Sequence, residues 1–117
     1  MQSTVLIVDD HPSFRGSARA LLASEGYDVI GEAETGAEAV RLAKELHPDL
    51  VVLDVQLPDL NGFEVTALLR ALEAPPEVVL TSSRDDYSRA VVGTGARGFL
   101  PKDALSGKAL DELLSRT

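Results

Sequence analysis

Five short apolar runs, each followed by a segment with helical spacing, constrain this chain more than any other feature. The runs are residues 5–8, 29–31, 50–53, 78–81 and 98–100. Two of them, VLIV and LVVL, do not alternate apolar with polar residues. Continuous runs fit strands covered on both faces, as in a parallel sheet. Helical patterns fill the gaps. Phe14, Ala18, Leu21 and Leu22 share one face between Pro12 and Gly26. Thr35-Gly-Ala-Glu38 reads as a capping box ahead of Ala39, Val40, Ala43 and Leu46, with Pro48 as the stop. Val65, Leu68, Leu69 and Leu72 mark a third helix, ended by residues 74–76. A short, glycine-closed fourth is expected at about 86–93. Leu105, Ala109, Leu110, Leu113 and Leu114 mark a fifth. Strand and helix thus alternate five times, which predicts an α/β fold with a doubly wound, five-stranded parallel sheet and helices on both faces.

The 117 residues fit one domain spanning 1–117. Only five residues are aromatic, so the core must be mainly Val, Leu, Ile and Ala. The absence of cysteine excludes a disulfide framework and a thiolate metal site. Nineteen acidic against 11 basic residues give a net charge of −8, which disfavours nucleic-acid contact by this domain. No apolar run approaches a membrane span and no signal peptide is visible, so the expectation is a soluble, cytoplasmic domain.

In such a sheet, ligands bind outside the carboxyl ends of the strands. Asp9 and Asp10 follow the first run, Asp54 ends the third, Thr81, Ser82 and Ser83 close the fourth, and Lys102 follows the fifth. Three converging carboxylates repel one another unless a cation compensates. Mg²⁺ takes one or two carboxylates, keeps waters and bridges to phosphate oxygens, so the cluster reads as a Mg²⁺ site prepared for a phosphoryl group. Lys102 supplies a point charge for phosphate oxygens and Thr81 a hydroxyl. Asp54 is the nucleophile candidate, because a carboxylate can form an aspartyl-phosphate. Taken singly, each residue is more often a helix cap than a ligand. Five such groups at the same strand ends argue for a site.

The pieces VLIVDDHPSFR, PDLVVLDVQLPDLNGFEV, VVLTSS and GARGFLPKDAL together resemble the receiver domains of two-component response regulators, over essentially the whole chain. The resemblance implies a flavodoxin-like fold with sheet order 2-1-3-4-5. It implies that Asp54 accepts a phosphoryl group from the phosphohistidine of a sensor histidine kinase or phosphotransfer protein. Asp9 and Asp10 then belong to the Mg²⁺ (or Mn²⁺) site together with Asp54 and the backbone carbonyl of Gln56. Thr81 resembles the switch hydroxyl, with Ser82 as the alternative, Phe99 the switch aromatic and Lys102 the phosphate-binding lysine. Phosphorylation is expected to alter the surface of the fourth helix, fifth strand and fifth helix. That surface would control a partner, a second copy of the chain, or a C-terminal helix-turn-helix output domain of a full-length regulator. No output domain is visible in this sequence.

Other features carry less. GTGARG (93–98) matches G-x-G-x-x-G, but a helical stretch precedes it and a strand follows, the reverse of a dinucleotide-binding context. It reads as a helix stop and a tight entry into the fifth strand. His11 borders the acidic pair, where a loop or cap role is expected; His47, before Pro48, is expected to be solvated. Arg89 and Arg97 read as solvated residues. A Mg²⁺-dependent phosphatase with an aspartyl nucleophile would need a second acid two residues after Asp54, and Gln56 occupies that place. A pure interaction module would be expected to lack Asp10, Asp54 or Lys102, and all three are present.

Overall fold

The computed structural model describes residues 3–84, 87 and 89–116. Five strands form one parallel sheet: β1 (Thr4–Val8), β2 (Asp28–Ala33), β3 (Leu50–Asp54), β4 (Glu77–Ser82) and β5 (Gly98–Pro101). Their order is β2-β1-β3-β4-β5, the one that the resemblance implies. Among the described residues, four α-helices accompany them: α1 (Pro12–Ser24), α2 (Gly36–Leu46), α3 (Gly62–Arg70) and α4 (Gly107–Leu114). A single 3-10 turn, Lys102–Ala104, joins β5 to α4.

Strand alternation builds two cores. Side chains along a strand point to opposite faces in turn. Leu6, Val8, Val51, Leu53, Val78 and Leu80 therefore pack with Ala39 and Ala43 of α2 and Val65 and Leu69 of α3. Val5, Ile7, Leu50, Val52 and Val79 pack with Ala18 and Leu22 of α1 and Leu110 and Leu113 of α4. This division explains why VLIV and LVVL show no polar alternation: each face has its own helical cover. Leu21, Leu46 and Leu68, placed by spacing on buried stripes, are substantially exposed at 38 %, 38 % and 47 %. They stand at the margins of their stripes, where the helix surface turns to solvent.

The expected fourth helix is corrected. Residues 85, 86 and 88 lie outside the described residues, and Tyr87 with 89–95 forms turns. The amides of Ala90, Val92 and Thr94 bond to carbonyls three residues back. Gly93 (φ 84°) and Gly95 (φ 91°) adopt left-handed conformations that open such turns, and Arg97 N–H then bonds to Val78 O at 2.8 Å. GTGARG is therefore the tight entry into β5.

Capping also differs in detail. Thr35 accepts from Glu38 N–H at 3.1 Å, but the Glu38 carboxylate reaches Glu34 N–H rather than closing the box. The complete box belongs to α3, where Asn61 and Glu64 cap each other's amides. Asp59, in the loop after β3, accepts the N–H groups of Gly36 and Ala37 at 2.8 and 2.9 Å and ties that loop to the start of α2. Among the described residues, no helix is long and apolar enough to cross a membrane.

Candidate functional site

The carboxyl ends of β1, β3 and β4 bring the predicted polar residues together. Asp54 ends β3 in the face sequence Leu50, Val52, Asp54, and Thr81 follows Val79 on β4. The two are register partners in adjacent parallel strands, so their side chains share one face. Ser82 is one residue further, which turns its side chain to the other face. Its hydroxyl accepts Arg84 N–H at 3.1 Å. Thr81 Oγ1 is buried and has no hydrogen-bond partner among the described residues. Of the two hydroxyl candidates, Thr81 is the one on the Asp54 side with unused bonding capacity.

Asp9 and Asp54 are both buried, while Asp10 is exposed. Lys102 Nζ lies 2.7 Å from Asp9 Oδ2 and 3.2 Å from Asp54 Oδ2. The same ammonium stands 4.8 Å from the centre of the Phe14 ring, a cation–π contact. Asp54 Oδ1 accepts Gln56 N–H at 3.1 Å. Burial pushes the Asp54 pKa above its ordinary value and the Asp9 charge adds to this; the Gln56 amide and Lys102 act in the opposite sense and only reduce the rise. Burial disfavours the Lys102 ammonium, but Asp9 and Asp54 outweigh it and raise the Lys102 pKa. The centre is thus short of positive charge: one ammonium faces two buried carboxylates and a third nearby.

The turn after β3 exists because position 62 is glycine. A Cβ there would stand 2.7 Å from Asp54 O and 2.8 Å from Val55 Cα, and Gly62 N–H bonds to Val55 O at 2.7 Å. Gln56, exposed in this turn, bridges to Asn61.

Ligand atoms of Asp9, Asp10, His11 and Asp54 all lie within 4.8 Å of one another. Carboxylate oxygens are the donors that Mg²⁺ takes, so the donor set fits that ion. His11 occupies the N-cap position of α1 but makes no side-chain cap. Its Nδ1 instead stands 2.9 Å from Asp9 Oδ1 and 3.1 Å from Asp10 Oδ1.

Phe99 is half-buried on the opposite face of the sheet from Thr81, within the α2–α3 core. Its ring centre lies 6.3 Å from that of Tyr87, which in turn lies 6.1 Å from that of Phe63. Sequence reasoning missed Tyr87 and the Phe14–Lys102 contact, since no spacing rule joins such distant residues. It also missed Arg15, which reaches the Asp9 carbonyl.

Residues 5–114 match the family model described as the response regulator receiver domain. The transcription regulator BvgA of Bordetella pertussis is 40 % identical over 104 residues, covering 87 % of this chain and 50 % of BvgA. The chain spans about half the length of the curated relatives it matches. The signal receiver domain of NarL from Mycobacterium tuberculosis superposes with a TM-score of 0.86 at 37 % identity, covering 98 % of both chains. The Borrelia burgdorferi complex of CheX with CheY, BeF3 and Mg²⁺ contains a chain that superposes with a TM-score of 0.83 at 26 % identity. That match covers 97 % of this chain and 87 % of the other.

Proposed function

Since this chain belongs to the response regulator receiver domains, we propose that it is a phosphorylation switch with Asp54 as acceptor and a sensor histidine kinase or phosphotransfer protein as donor. The observation that carries this reading is the single ammonium of Lys102 shared by buried Asp9 and Asp54, beside exposed Asp10. A site short of positive charge fits a divalent cation and a phosphoryl group arriving together.

Asp9, Asp10, Asp54 and the Gln56 backbone carbonyl would hold the cation. When bound, Mg²⁺ (or Mn²⁺) supplies charge that offsets the carboxylates and the incoming phosphoryl oxygens. A carboxylate oxygen of Asp54 attacks phosphorus in line. The P–O bond forms as the P–N bond to the donor imidazole breaks, and the electron pair returns to that nitrogen. Lys102 moves its pairing from the carboxylates to phosphoryl oxygen, and the unpartnered Thr81 hydroxyl donates to another. The adjacent strand β5 and Phe99, with Tyr87 beside it, pass the shift at the end of β4 to the surface that includes α4. Water later cleaves the acyl phosphate, so the domain assists its own chemistry without turning over a free substrate. The presence of BeF3 and Mg²⁺ in the CheX–CheY complex supports the same chemistry here.

Similarity to BvgA and NarL over about half of the relatives' length supports a receiver module, spanning 1–117, that regulates a helix-turn-helix output domain in a longer transcription regulator. A second, phosphorylated copy is an alternative partner for that surface, and the setting would be cytoplasmic.

Incubation with radiolabelled acetyl phosphate and Mg²⁺ tests the reading. The natural chain should take up label, Asp54→Asn should not, and a chelator should abolish uptake. Equal labelling of the two proteins would overturn the assignment.

A further inference from the structure

We propose that Arg15 is a positioning residue for the cation site, acting through the peptide that joins Asp9 to Asp10; this rests on the cation-site reading above. Asp9 lies one residue beyond β1. Its N–H still bonds to Ala33 O of β2 at 3.0 Å, but the β1–β3 ladder ends at the Val8–Leu53 pair. The Asp9 carbonyl therefore stands past the last rung of that ladder. Arg15, in the first turn of α1, donates from Nη1 to this oxygen at 2.6 Å.

That oxygen belongs to the planar unit linking Asp9 to Asp10. Because the Asp9 N–H is already fixed to β2, the position of this oxygen sets ψ of Asp9, and so where Asp10 Cα and its carboxylate stand relative to Asp9. Anchoring the oxygen sets the direction in which Asp10 leaves the sheet.

Arg15 is itself held. Its side chain is only 15 % exposed, and Nε donates to Glu32 Oε1 on β2 at 3.1 Å. Glu32 Oε2 accepts from Arg19 Nε at 2.7 Å, and Arg19 Nη1 reaches Val29 O at 3.2 Å. A planar guanidinium can serve a carbonyl and a carboxylate at once, which a lysine ammonium cannot do in this fork geometry. The line Glu32–Arg15–Asp9 thus ties the site's acidic loop to the neighbouring strand.

A positional and a purely electrostatic role predict opposite results. Removing a nearby positive charge should tighten cation binding, whereas loosening the Asp9–Asp10 peptide should weaken it. The probe is Mn²⁺ alone, with free ion followed by electron paramagnetic resonance, and thermal unfolding recorded in parallel. Arg15→Gln should raise the Mn²⁺ dissociation constant about tenfold, the scale found when groups supporting a metal ligand are removed. Glu32→Gln should weaken binding too, and the double variant should be no worse than Arg15→Gln, as expected for residues acting in one line. Asp10→Asn is the control and should lose Mn²⁺. Unchanged or tighter binding by Arg15→Gln, with Asp10→Asn defective, overturns the role of Arg15 and leaves the cation site standing. A lowered melting temperature with an unchanged dissociation constant does the same. If Asp10→Asn binds as the natural chain does, the cation-site reading fails and the proposal with it. Should Arg15→Gln not fold, Arg15→Lys decides, because it keeps the positive charge and loses the fork: unchanged Mn²⁺ affinity overturns the proposal.

Discussion

Lys102 is bound more closely to Asp9 than to the acceptor candidate Asp54: its Nζ lies 2.7 Å from Asp9 Oδ2 and 3.2 Å from Asp54 Oδ2. The lysine thus holds the like-charged pair together in this state. A group recruited to a phosphoryl oxygen must leave at least part of that pairing. The same contact gives Lys102 a structural duty before any chemistry occurs.

Lys102→Ala should therefore destabilise the domain as well as disable it. Removing one partner from a buried ion pair is worth up to about 3–5 kcal/mol, and partial solvation together with carboxylate protonation brings the expected loss here to about 1–3 kcal/mol. Denaturant unfolding at neutral pH would measure it. Adding Asp54→Asn to Lys102→Ala should recover part of the loss; no recovery would show that Lys102 stabilises through packing on Phe14 instead.

Asp54→Asn alone should raise the melting temperature at neutral pH without added cation. The folded-state pKa of Asp54 is raised, chiefly by burial and then by Asp9. A raised carboxyl pKa contributes stability below the ordinary carboxylate range and loses it as pH rises through the folded-state value. The gain from Asn should accordingly shrink as pH falls below that ordinary range. A difference of a few degrees at pH 7 that persists unchanged at pH 3 would contradict this.

Asp59→Ala should loosen the loop after β3 from the start of α2. The Asp59 carboxyl is held below its ordinary pKa, first by the Gly36 amide and then by that of Ala37. Its stabilisation is thus present above the ordinary carboxylate pKa and is lost as pH falls through the lower folded-state value. Asp59 is exposed, so the expected effect is about 1 kcal/mol or less. Chemical denaturation of both proteins at pH 7 and pH 3 should show a smaller difference at the lower pH.

Gly62→Ala should move Asp54. Its Cβ would meet backbone atoms, Asp54 O at 2.7 Å and Val55 Cα at 2.8 Å, and neither can rotate away. Overpacking of this kind destabilises by about 1–3 kcal/mol. Phosphate uptake from acetyl phosphate should fall more steeply than the folded fraction. Uptake that tracks the folded fraction would mean that the turn relaxes without displacing Asp54.

Much of this site was legible because it depends on local pattern. Continuous apolar runs mark two-sided strands, so Asp9, Asp10, Asp54 and Lys102 could be placed at one sheet edge from the runs that precede them. The choice between Thr81 and Ser82 could not be read in that way. A shift of one residue reverses the face, and only the Asp54–Thr81 register settles which hydroxyl lies beside Asp54. The expected helix at 86–93 rested on weak periodicity, and at Tyr87 and 89–95 turns with i−3 bonds prevail.

Period and composition act over neighbouring residues, and they suffice to mark the five strands, the helices after β1, β2, β3 and β5, the two-faced core and the polar residues at the strand ends. Packing between elements adds what pattern lacks: Lys102 bridges Asp9 and Asp54, Thr81 has on their side a hydroxyl with no partner among the described residues, and Arg15 reaches across from α1 to the Asp9 carbonyl. Those contacts join residues on different elements. Their geometry follows from sheet register and helix docking, which no local pattern encodes.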